Sequence, residues 1–72
     1  MKLTSDIISI VRAGGSVVID SSKLTSDLIS IVKSASSNSE IIIKGANKKL
    51  TSDLISISKA AGGKKVIFDL TK

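Results

Sequence analysis

Lys23-Leu24-Thr25-Ser26-Asp27-Leu28-Ile29-Ser30-Ile31 decides the fold, because the chain writes it three times. The other copies are Lys2–Ile10 and Lys49–Ile57, differing only by isoleucine for leucine at Ile7. Each copy leads into a short β-like run: Ser16–Asp20, Glu40–Lys44 and Lys65–Leu70. Registered on Leu3, Leu24 and Leu50, the copies are spaced by 21 and 26 residues, so the insertion falls in the second unit. A period of roughly 20–30 residues is the mark of a stacked repeat array. The units are 2–22, 23–48 and 49–72, within one domain.

Every unit opens on a helix-start pattern. Thr4, Thr25 and Thr51 are expected N-caps, whose hydroxyls would accept a free backbone N–H of the first turn. The leucine before each threonine then pairs with Ile8, Ile29 or Ile55 as a hydrophobic staple. Asp6, Asp27 and Asp53 fall in the first turn, where the helix dipole favours a carboxylate. Ile7/Ile10/Val11, Leu28/Ile31/Val32/Ala35 and Leu54/Ile57/Ala61 recur at three- and four-residue spacing and predict the buried stripe. Ser5/Ser9/Arg12, Ser26/Ser30/Lys33 and Ser52/Ser56/Lys59 make the wet face. Gly14-Gly15 and Gly62-Gly63 are helix stops, and Ser36–Ser39 serves the same end in the middle unit.

In the strands, Val17/Ile19, Ile41/Ile43 and Val66/Phe68/Leu70 point at the helices. Alternation turns Ser16/Val18/Asp20, Glu40/Ile42/Lys44 and Lys65/Ile67/Asp69 to the other face. Helix–strand order with short links requires parallel strands and right-handed crossovers, which put all helices on one side. The expected fold class is α/β: a two-layer, solenoid-like arc with a three-stranded parallel sheet in order 1-2-3. At this level the chain resembles α/β solenoids of the leucine-rich-repeat type, without their asparagine or cysteine ladder. Repeats written Leu50-Thr51-Ser52-Asp53-Leu54-Ile55 to Gly62-Gly63 also resemble those of small bacterial or designed repeat proteins. The resemblance implies a binding or assembly scaffold rather than a chemistry.

Composition narrows the function classes. The 72 residues contain no histidine, cysteine, tyrosine or tryptophan. That removes disulfides, thiolate or imidazole metal sites and the usual nucleophile and proton-transfer sets. Ala61-Gly62-Gly63-Lys64-Lys65 carries the glycines and lysine of a phosphate loop, but such a loop runs from strand to helix and this one runs the other way. No enzyme, cofactor or small-molecule substrate is expected. No run of roughly 20 apolar residues or secretory-type stretch is present, so a cytoplasmic setting is the default.

Two surfaces remain for a partner. The outer sheet face sets an apolar stripe, Val18, Ile42 and Ile67, between the rows Asp20/Lys44/Asp69 and Ser16/Glu40/Lys65. Parallel sheets are normally covered on both faces, and here no further segment does so. Open edges add to this, because aliphatic edge strands invite pairing. Two third strands meeting antiparallel about Ile67 would place Lys65 opposite Asp69 of the partner subunit. Head-to-tail stacking would instead bring Asp69 beside Asp20 of the partner subunit. The expectation is therefore a homo-oligomerising module, a closed dimer before an open filament, using Val18, Ile42, Lys65, Ile67 and Asp69. The alternative rests on the net charge of +5. Lys2, Lys23 and Lys49 recur at the helix-start rim, with Lys48 and Lys64 in loops, and could meet nucleic acid or an anionic membrane. Asp6, Asp27 and Asp53 share that rim and offset its field, and Phe68 alone offers no base-stacking platform.

Overall fold

The computed structural model describes residues 3–71. Helices α1 (Thr4–Arg12), α2 (Thr25–Ser34) and α3 (Thr51–Ala61) alternate with strands β1 (Val17–Asp20), β2 (Glu40–Lys44) and β3 (Lys65–Phe68). The strands are parallel in order β1-β2-β3. The register sets Val18 beside Ile42 and Ile42 beside Ile67. Ile19, Ile41 and Ile43 are buried beneath Ile7, Val11, Leu28, Ile31, Val32, Ile57 and Ala61 of the helices, with Val17, Val66 and Phe68 packed around them. One face of the sheet therefore carries the core, and the period-2 alternation places it there.

The helix starts differ from expectation. Leu3, Leu24 and Leu50 occupy the N-cap positions in an extended backbone, and no side-chain oxygen caps any of the three helices. The threonines are the first helical residues. The Leu3 carbonyl accepts from the N–H groups of Asp6 and Ile7, and the Leu50 carbonyl from those of Asp53 and Leu54. The aspartates thus stand at the third helical position, close to the positive end of the dipole. Staples do not close either. Leu3, Leu24 and Leu50 are 70%, 69% and 71% exposed, because the cap residue projects outward instead of folding back over the first turn.

The stops are more varied than the sequence suggested. Gly62 ends α3 in the left-handed conformation (φ +59°), which glycine adopts without steric cost. By contrast α2 leaves the helix at Ala35 in an extended conformation, and Ser36 then accepts the Asn38 N–H at 3.2 Å. Ser39 closes this turn from the core side, its buried hydroxyl donating to the Val11 carbonyl at 2.8 Å. The insertion in the second unit forms a short 3₁₀ turn, Ala46–Lys48, whose Ala46 is buried. At the far end β3 stops at Phe68, so Leu70 is exposed rather than inward. Ile10 departs from the buried stripe as well, and its reason bears on function below.

One lysine has a structural task. Lys64 reaches across from the α3–β3 link and donates to the carbonyls of Val32 (3.3 Å) and Lys33 (2.7 Å) at the end of α2. A cation on the last carbonyls of a helix is favoured by its dipole. Lys64→Gln is expected to lower stability by about 0.3–1 kcal/mol, with a smaller loss at high salt. Urea titrations at low and high salt read this directly; salt-independent loss would assign the effect to packing instead.

Candidate functional site: the open face of the sheet

The outer face is assembled by strand alternation alone. Val18 is 60% exposed, Ile42 half-buried and Ile67 40% exposed, and the three are direct neighbours across the sheet. On one side of this stripe Glu40 pairs with Lys65 in register, and their charged groups lie 3.3 Å apart. Ser16 completes that row by accepting the Glu40 N–H at 2.9 Å. The Glu40–Lys65 pair is mostly solvated, so it contributes at most about 1 kcal/mol and acts chiefly on register.

The other row behaves differently. Asp20 lies beside Lys44 in register, and the Asp69 carbonyl and N–H bond across to Ala46 and Ile43. Neither carboxylate forms a contact ion pair with Lys44. Asp20 instead accepts the Ser22 N–H at 2.8 Å, while Asp69 accepts the N–H (3.0 Å) and hydroxyl of Thr71. These bonds hold both carboxyls below the usual carboxylate range: Ser22 chiefly for Asp20, Thr71 chiefly for Asp69, with Lys44 adding to each. Both aspartates close turns at strand ends, a local competitor that the cross-strand charge pattern did not reveal.

Of the expected interface residues, Val18, Ile42, Ile67 and Lys65 share one exposed surface, and half-buried Asp69 lies at its rim. The lysines of the alternative reading do not converge. Lys2 lies outside the described residues. Lys23 donates to the Thr4 hydroxyl at 3.2 Å, tying the second unit to the first. Lys48 sits in the 3₁₀ turn near Asp20, Lys49 follows it, and Lys64 serves the opposite, C-terminal ends of the helices.

Comparison with protein-family models, curated proteins and solved structures gives no match for this chain. The reading of function therefore rests on its own surface. Among the described residues no helix is long and apolar enough to cross a membrane.

A second apolar surface was missed by sequence reasoning. Ile7, Ile10, Val17, Val18 and Ile19 line a cavity of 260 Å³ at the β1 end, with Asp20 and Lys23 at its mouth. Ile10 was assigned to the buried stripe, yet it is 41% exposed, whereas its equivalents Ile31 and Ile57 are wholly buried. The missing signal was available in the repeat itself. Among the described residues, a unit covers this position in the second and third copies and none covers it in the first.

Proposed function

We propose that this chain is a non-enzymatic self-assembly module whose partner is a second copy of itself. The observation that carries the reading is the uncovered outer face, where Val18, Ile42 and Ile67 form one apolar stripe between polar rows. A parallel sheet with a solvent-facing aliphatic stripe is unusual, because strands of this kind are normally covered on both sides. Small domains also bury a modest fraction of their surface, and association supplies the remaining burial where disulfides and metals are missing. The expected consequence is a discrete oligomer in light scattering coupled to size exclusion, growing in population with concentration. Val18→Lys, on the exposed stripe, is expected to weaken association at least tenfold while leaving the helix content unchanged. A wild type that stays monomeric at all concentrations would sink the reading. Unchanged association of Val18→Lys would remove the stripe from the contact.

A further inference from the structure

The three units share one sequence pattern, so differences in burial at equivalent positions report which neighbours each unit has among the described residues. Ile10, Ile31 and Ile57 are equivalent, and only Ile10 is uncovered. This helix position therefore packs against the preceding unit. Val11, Val32 and Ser58 are also equivalent: the two valines are wholly buried, and Ser58 is exposed. That position packs against the following unit, and the third unit carries a polar residue there. Ser58 donates to the Leu54 carbonyl at 2.9 Å and asks nothing of a partner. The α3 end is thus closed by a polar replacement, while the α1 end keeps its isoleucine and an apolar cavity.

Deepening the self-association reading and resting on it, we infer that copies join at the α1/β1 end, with β1 against β1 about a twofold axis. Strand direction supplies the geometry. Ser21 donates its N–H to the Lys44 carbonyl at 2.9 Å, so by alternation Val18 turns its N–H and C=O to the free edge, as Asp20 does its N–H, while the Asp20 carbonyl accepts the Lys23 N–H at 3.5 Å. Antiparallel pairing centred on Val18 lets two copies exchange both backbone bonds there. It sets Val17 opposite Ile19 of the partner subunit on the core side, and Ser16 opposite Asp20 of the partner subunit on the outer side. No like charges face each other, and Ile10 of each copy closes over the shared groove. Head-to-tail stacking lacks this fit. It would lay Ser58 where Val11 and Val32 pack within the chain, and Asp69 beside Asp20 of the partner subunit, which is a repulsion. An isologous contact also closes after two copies.

Amide hydrogen exchange on the wild type tests the contact without altering the fold. Edge pairing at β1 makes the Val18 and Asp20 amides slow by at least tenfold as concentration rises into the associating range. The outward amides of β3, Val66 and Phe68, stay fast. In parallel, Ile10→Lys is expected to raise the dissociation constant at least tenfold, and Ile55→Lys, at the opposite end, to leave it unchanged. Protection of Val66 and Phe68 in place of Val18 would overturn the inference, as would equal losses from Ile10→Lys and Ile55→Lys, the signature of head-to-tail growth. An oligomer indifferent to Ile10→Lys would overturn it while leaving self-association standing. A monomeric wild type would overturn both.

Discussion

Leu28→Ala is expected to remove about 2–5 kcal/mol of stability, the range for truncating a fully buried leucine. Leu28 is on α2, the helix packed between α1 and α3, and has no solvent exposure. Truncation there leaves a cavity walled by neighbours on both sides, which cannot collapse far without moving a helix. A domain of this length has a total stability of roughly 4–11 kcal/mol at ordinary per-residue values. Leu28→Ala therefore populates the unfolded chain near room temperature or abolishes folding at 37 °C. Leu54, its equivalent on α3, is only half-buried and borders solvent. Leu54→Ala should cost about 1–2 kcal/mol, since less area is withdrawn from water and the site can relax outward. Urea midpoints of the two variants measure the difference. Equal losses would mean that the middle helix is not the packing centre.

Gly15→Ala is the second large effect, and its sign is not that of an ordinary glycine replacement. Alanine usually stabilises a glycine site by about 0.4–1 kcal/mol, because the unfolded chain loses freedom. At Gly15 the new Cβ would lie 2.7 Å from Ile10 Cγ2 and 3.0 Å from the Ile10 carbonyl oxygen. The oxygen belongs to the backbone and cannot swing aside, and the methyl moves only if Ile10 turns about its stiff χ1. Gly15 also donates its N–H to that same carbonyl at 2.9 Å, which holds the turn against α1. Overpacking of this kind costs about 1–3 kcal/mol and outweighs the entropic gain. The relief route displaces Ile10 into the cavity at the β1 end. Gly15→Ala should therefore lower the thermal midpoint and weaken association together. A stabilised variant would show that the turn yields freely.

These two effects differ in how far they can be traced to the chain itself. Leu28 announces its burial: it stands one turn before Val32 and two before Ala35, in the middle one of three copies of one amphipathic pattern. Gly15 announces only a helix stop. That its missing Cβ makes room for Ile10 is a consequence of how the α1–β1 turn folds back.

The same division runs through the whole protein. The repeated Leu-Thr-Ser-Asp start, the three- and four-residue spacing and the period-2 strands are local, covalent facts. They determine three helix–strand units, parallel strands in order 1-2-3, and which strand face meets the helices. The cross-strand neighbours Val18, Ile42 and Ile67, and Glu40 beside Lys65, follow from that same periodicity. What repetition cannot encode is the difference between units, because identical residues read identically wherever they stand. Only stacking decides that Ile31 and Ile57 are covered while Ile10 is not. Only tertiary proximity brings Lys64 to the end of α2, 31 residues away, and Ser39 beneath the Val11 carbonyl. Local pattern fixes conformation, through torsion and alternation; burial is a property of neighbours, and neighbours exist only once the chain has folded.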